Sequence, residues 1–206
     1  MQRLPLDLIS DDLSWREAEL GSLKLLLARK DLSSHQKKVL LRVSWALLYA
    51  HYEGFAKTAL TVFYDCAKEA VANCGTLPVK TRLFALSQKI KSLRGLSSEY
   101  LLIEIENFTT ALYEPVPDFP DVDTKSNLWP NILGGLLEDA DIKIDALDVH
   151  RAKISTLVSR RNQIAHGKRD IVDEVSYYIG FEEAVYDIMY EMALKIDERL
   201  KLAPYI

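Results

Sequence analysis

Arg161, Asn162 and His166 stand together in the run RRNQIAHG (160–167). Two of these side chains carry chemistry of their own. Imidazole exchanges a proton near neutral pH, so a histidine is the first candidate for a general acid or base. Guanidinium is a planar, permanently charged fork that matches the oxygens of a phosphate or a carboxylate. The run also closes a long helical pattern, and the last turn of any helix favours cations followed by Gly. That accounts for Arg160, Lys168 and Arg169, and for Gly167. It does not account for Arg161. At 100° per residue, Leu147, Ile154, Leu157, Val158, Ile164 and Ala165 all fall within about 60° of it. A charge inside an apolar stripe costs stability unless it is paired or meets a wet interface. His166 falls about 140° away, on the side of Ser155, Ser159 and Asn162, where Asn162 is its neighbour four residues back.

A second charge sits oddly in LLYAHYEGFAK (47–57). Glu53 shares its helix face with Ala46, Tyr49, Ala50, Ala56, Leu60 and Phe63. A carboxylate there wants a cation. Arg160 or Arg161 is the expected partner, and Lys57, four residues on, is the surface alternative. The other histidines carry less: His51 is expected half-buried, His35 exposed in a first turn, and His150 in the core. Trp15, Trp45 and Trp129 are expected as core anchors. No HExxH, phosphate loop, GxGxxG or metal-ligand spacing occurs, so no metal or cofactor is expected.

These residues need helices to place them, and helices are what the sequence supplies. Apolar residues recur at three and four, strand-like alternation is almost absent, and the 8 Gly and 7 Pro fall between periodic segments. The expected fold is all-α: an antiparallel bundle with one long central helix and additional helices, in one domain over 1–206. Helices are predicted at 12–29 (capped by Ser10 or Asp11), from the Ser33/Ser34 cap to Gly75, from Pro78 to 93, and through SSEYLLIEIENFTTALY. Others are predicted from a Ser126 or Asn127 cap to 137, from an Asp145 cap to Gly167, and from about Asp173 to 200. Gly54 is expected at a close helix contact. Residues 1–32 form an N-terminal helical extension, and 114–125 a Pro-rich loop that wraps the bundle or covers a groove.

Composition limits the partners. The formal net charge of −4 gives no global basic field, so any nucleic-acid contact must be local. The two cysteines, Cys66 and Cys74, are expected eight apart on one helix, which disfavours a disulfide and fits a reducing compartment. With no signal peptide in MQRLPLDLIS and no long apolar run, the expected location is cytoplasmic, without a membrane.

Three segments together resemble one known group. Arg161-Asn162 followed by His166 is similar to the R-x4–6-H motif of HEPN domains (higher eukaryotes and prokaryotes nucleotide-binding), where an Asn often follows the Arg. LLYAHYEGFAK resembles the long helix of the stand-alone MAE-type HEPN subfamily, with Glu53 as its acidic residue. DTKSNLWPNIL resembles the Ser-Asn-Leu segment that precedes the motif helix there. The likeness runs from about His35 to Asp170, in the expected order. It implies an α-helical bundle, a metal-independent endoribonuclease, and a homodimer that brings two motif helices to a shared cleft. It also implies a role in toxin–antitoxin pairs or phage defence, with an antitoxin or regulatory protein as a further partner. By position, Arg161 and His166 are the expected catalytic pair, with Asn162 and Glu53 in support. Arg160, Lys168 and Arg169 form the expected RNA-binding patch. Lys168 occupies the place of the Tyr that some HEPN toxins carry two residues after His. The alternative is a non-catalytic HEPN module that binds RNA, a nucleotide or a protein. A third possibility is a plain helical scaffold in which Arg161 pairs with Glu53.

Overall fold

The computed structural model describes residues 4–169 and 174–206. Every regular element among them is helical. The first helix, α1 (Pro5–Leu27), begins seven residues earlier than predicted. Pro5 occupies its first turn, where a missing N–H costs nothing, and buried residues recur from Ile9 through Leu13, Arg16, Leu20, Leu23 and Leu27. The long helix α2 (Ser34–Ala70) starts at a capping box, in which Ser33 and Gln36 satisfy each other's backbone N–H groups. It stops five residues short of Gly75, because Val71 turns extended. Cys74 therefore lies in a short 3-10 turn (Cys74–Thr76), off the helix that carries Cys66, and both thiols are free.

The predicted 78–93 helix is two, α3 (Val79–Ala85) and α4 (Ser87–Ser92), broken at the buried Leu86. After α5 (Ser98–Ala111), the Pro-rich strap runs back along α2. Asp118 pairs with Lys68, Phe119 stacks on Tyr64 at 4.7 Å between ring centres, and Val116 and Val122 are buried. Helix α6 (Pro130–Asp139) starts on Pro130 rather than at a Ser126 or Asn127 cap. The 145–167 helix divides at His150 into α7 (Ala146–Val149) and α8 (Arg151–Ala165). The last helix is α9 (Val175–Leu200), and its predicted start, Asp173, lies outside the described residues.

Four helices make the frame around the site. Trp45 meets Tyr178 and Phe181, while Phe63 meets Tyr205 beyond the end of α9, so α2 and α9 run parallel. Arg160 reaches Trp45, and Arg42 reaches the end of α8, so α8 runs against α2. Lys24 pairs with Glu182 and Glu17 with Tyr190, so α1 runs against α9. The bundle is thus antiparallel except for its α2–α9 pair. Trp45 is a core anchor as expected. Trp15 is not, being 49% exposed, and Trp129 is half-buried.

Gly54 sits at a close contact. A Cβ there would lie 2.9 Å from Nη1 of Arg16. Arg16 is buried, bonded through Nε and Nη2 to both oxygens of Asp12 (2.7 and 3.1 Å), with Nη1 3.4 Å from Nδ1 of His51. His51 is accordingly more buried than expected, and its Nε2 lies 2.8 Å from a Glu19 oxygen.

Candidate active site

Helix α8 ends in a Schellman turn. The Lys168 N–H donates to the Gln163 carbonyl (2.9 Å) and the Gly167 N–H to that of Ile164 (3.1 Å). Gly167 adopts φ +75°, a backbone conformation that side chains resist, and this makes the Gly a requirement of the turn. Arg42 of α2 locks the turn from the side. Its guanidinium donates to the Ile164 carbonyl (3.1 Å) and to that of Lys168. His166 is the capping residue between these two anchored carbonyls. Its ring is exposed and takes no hydrogen bond among the described residues.

Arg161 lies where the helix wheel placed it, and its half-buried side chain is held by neutral groups. Nη1 donates to the side-chain oxygens of Asn127 (3.1 Å) and Asn162 (3.0 Å). The guanidinium lies over the Tyr49 ring, 4.7 Å from its centre, a cation–π contact with α2. It forms no ion pair among the described residues.

The expected Glu53–arginine pair does not form among the described residues. Glu53 accepts the Thr124 hydroxyl instead, at 2.6 Å. The strap brings Thr124 over α2 before the arginines can reach that far down the helix. Glu53 stays close to the site through Tyr49, one turn away. The Tyr49 hydroxyl accepts from the Leu128 N–H at 2.8 Å. Burial above all, with Glu53 beside it, pushes the phenol up to about 12, so Tyr49 is neutral at physiological pH. The Ser-Asn-Leu segment that follows the strap and the motif helix therefore meet on one aromatic residue.

The segment SNL is the hinge of this arrangement. Lys125 and Ser126 both take positive φ (54° and 65°), a strained pair of non-glycine conformations held in place by neighbouring bonds. Asp123 accepts the Lys125 N–H (2.8 Å) and Thr124 the Asn127 N–H (3.1 Å). The turn so formed aims Asn127 at Arg161. The sequence reading made Asn127 a helix cap, and only the resemblance marked its segment. Arg42 left no signal, because an Arg on a helix surface is ordinary, and Tyr49 was indistinguishable from other core aromatics.

The expected basic patch separates into two kinds of residue. Lys168 and Arg169 are exposed. Arg160 is half-buried across the Trp45 and Tyr177 rings, 4.7 and 5.2 Å from their centres, and its Nε is buried without a hydrogen bond. It contributes packing between α2, α8 and α9. His150 is not a core residue: it is half-buried and its Nε2 lies 2.8 Å from Asp187 of α9. His35 is exposed, as expected.

The apolar stripe around Arg161 is covered from within the chain, since Ile154, Leu157 and Val158 are fully buried. It therefore does not need a second copy to cover it. What stays open beside the site is a different stripe, on α2: Val39, Val43 and Ala50, all exposed.

An all-helical frame, a long central helix and an Arg–Asn–x3–His cluster closing the helix packed on it together define a HEPN domain. The profile of the HEPN_MAE_28990-like HEPN family matches residues 5–205, and the chain belongs to that family. None of the curated proteins and none of the solved structures matches it. The family suggests a nuclease or RNA-related module. No helix among the described residues is long and apolar enough to cross a membrane.

Proposed function

We propose that this chain is a metal-independent endoribonuclease of the HEPN type, working in the cytoplasm as a toxin or phage-defence effector. The observation that carries the reading is the uncompensated charge of Arg161. A half-buried guanidinium is ordinarily neutralised by a carboxylate. Here two carboxamides and an aromatic ring orient it, and the nearest carboxylate of the expected pair is occupied by Thr124. Such a cation is positioned and unspent, ready for a phosphate.

In the proposed reaction the RNA 2′-oxygen attacks the adjacent phosphorus. The new O–P bond forms as the bond to the 5′-oxygen breaks, leaving a 2′,3′-cyclic phosphate. His166 takes the 2′-hydroxyl proton or supplies the proton to the leaving 5′-oxygen. Arg161 stabilises the extra charge on the phosphate oxygens. Asn162 and Asn127 fix Arg161, and Glu53 acts through Thr124 and Tyr49. Lys168 and Arg169 hold the RNA backbone, with Arg160 lending its charge from behind.

One helix points Arg161 and His166 about 140° apart. A homodimer that juxtaposes two motif helices resolves this, and the exposed Val39, Val43 and Ala50 beside the site supply the apolar surface such a contact needs. An antitoxin or regulator would bind over the same cleft. The divergence of the two side chains within one chain also favours the second reading, a non-catalytic module that binds RNA, a nucleotide or a protein.

The test is purified protein with a broad RNA panel in EDTA, beside Arg161→Ala and His166→Ala. Cleavage to cyclic-phosphate ends by the wild type alone supports the enzyme. Binding without turnover, undiminished in His166→Ala, supports the module and ends the enzyme reading.

A further inference from the structure

Helix α5 is out of place as it stands. It buries a single residue, Ala111. Yet SEYLLIEIENFTTA is apolar on nearly every side. Leu101 and Phe108 face the bundle, about 20° apart on the helix wheel, with Ile105 within about 60° of both, while Leu102 and Ile103 lie on the outward half. Tyr100 is 65%, Leu102 67% and Ile103 55% exposed, and Ile105 and Tyr113 are exposed as well. A helix that is apolar all round is ordinarily a buried one. A patch of this kind on a soluble chain marks an interaction site.

The charges around α5 say what covers it. Glu99 and Glu106 share the outward side with Leu102 and Ile103, about 20° from each other on the wheel. Just before them come Lys91 at the end of α4 and Arg94 in the turn at Gly95. All four are exposed, and none has an ion-pair partner among the described residues. In chain order the signs run positive, positive, negative, negative, and they reverse about the turn. A pattern that inverts about a point is self-complementary in a two-fold contact. We propose that α4 and α5 form a self-association surface, which seats a second copy of this chain so that Lys91 and Arg94 of each copy face Glu106 and Glu99 of the other, over Leu102 and Ile103.

This surface is separate from the motif cleft. The chain leaving α5 is tied to the far end of α2, where the Gly75 N–H donates to the Leu112 carbonyl at 2.8 Å. Tyr49 lies roughly 30 Å back along α2. The proposal therefore stands whether or not the chain cleaves RNA. With the motif-helix contact as well, the two two-fold surfaces close a tetramer where their axes cross at right angles and build a larger assembly otherwise; without it, α5 alone gives a dimer.

The test is mass in solution, by light scattering over a concentration series, for the full chain and three variants. The double substitution Leu102→Gln with Ile103→Gln, at exposed positions that leave the helical spectrum unchanged, should halve the mass and weaken association by about 100-fold. Glu99→Lys with Glu106→Lys, and separately Lys91→Glu with Arg94→Glu, should each weaken it, and an equimolar mixture of the two should restore it. A wild-type mass of one chain, or a mass unmoved by the Leu102/Ile103 substitutions, overturns the proposal. So does loss of association on Val43→Glu alone with no effect from α5, which places the whole contact at the motif face. Failure of the two charge-reversed variants to rescue each other overturns the two-fold pairing and leaves α5 to a different protein.

Discussion

Arg16 and Arg161 are built alike and used differently. Each reaches towards α2 and lies over an aromatic ring, at 4.5 Å from Trp15 and 4.7 Å from Tyr49. Arg16 is 6% exposed and grips Asp12 with two nitrogens. Arg161 is half-exposed and grips only amides. The first guanidinium has its charge cancelled inside the protein, so its role is complete when the chain folds. The second has its orientation fixed and its charge left over. Burial and a ring contact alone do not separate a structural arginine from a functional one; the partner's charge does.

The comparison breaks most sharply on paired alanine variants. Arg16→Ala leaves the half-buried Asp12 beside Trp15 and His51 without its cation, and the fold should lose about 3 kcal/mol, read as a large fall in Tm. Arg161→Ala strands only neutral acceptors, so Tm should move little while RNA cleavage falls by about 10²–10³-fold. If Arg161→Ala proves as destabilising as Arg16→Ala, the two are the same kind of residue and the proposed role of Arg161 fails.

This difference was half legible in the sequence. The wheel put Arg161 inside an apolar stripe, and that was enough to single it out. Arg16 falls in the same position on its own helix, between Leu13 and Leu20, and passed unremarked because Asp12 lies four residues back as an ordinary surface pair. Helix type and the Ser33 cap came from local signals, and so the all-helical frame was readable throughout. The partners of Arg161 were not. Asn127 is 34 residues away, and its aim depends on two positive-φ residues that no propensity announces. Glu53 was correctly marked as a misplaced charge but assigned to an arginine. A loop hydroxyl 71 residues on reached it first, and loops are where sequence periodicity is silent.

A charge can be moved from one case to the other. Asn127→Asp puts a carboxylate where the carboxamide now accepts from Arg161 and converts its setting to that of Arg16. Stability should hold or rise slightly, and cleavage should drop by about tenfold or more as the guanidinium is partly neutralised. Full activity in a correctly folded Asn127→Asp protein would mean that compensation of Arg161 is irrelevant to function.

Gly54→Ala probes the Arg16 side with a single methyl group. In an open helix the change gains about 1 kcal/mol. Here the methyl would sit 2.9 Å from Nη1 of a guanidinium that Asp12 prevents from swinging away. Overpacking at about 1–3 kcal/mol outweighs the helical gain, so the variant should melt below wild type. The same change made together with Arg16→Leu should lose that penalty, a coupling that a thermal double-mutant cycle measures.

The smallest effect is a pH dependence confined to the Arg16 side. His51 faces Asp12, Arg16 and Glu19 from α1, and its pKa is lowered from 6.5, chiefly by burial, with Arg16 adding to the fall and Glu19 opposing it. A lowered folded value means that the unfolded chain binds the proton first. Between 6.5 and the folded value, ΔG of unfolding therefore rises with pH. The contribution is present above about pH 6.5 and is lost progressively as pH falls below it. Urea titrations at pH 7.5 and pH 5.5 should show the decline in wild type and a shallower one in His51→Gln, which cannot charge. An identical slope in the two proteins would show that His51 does not govern this window and that the acid sensitivity lies with the surrounding carboxylates.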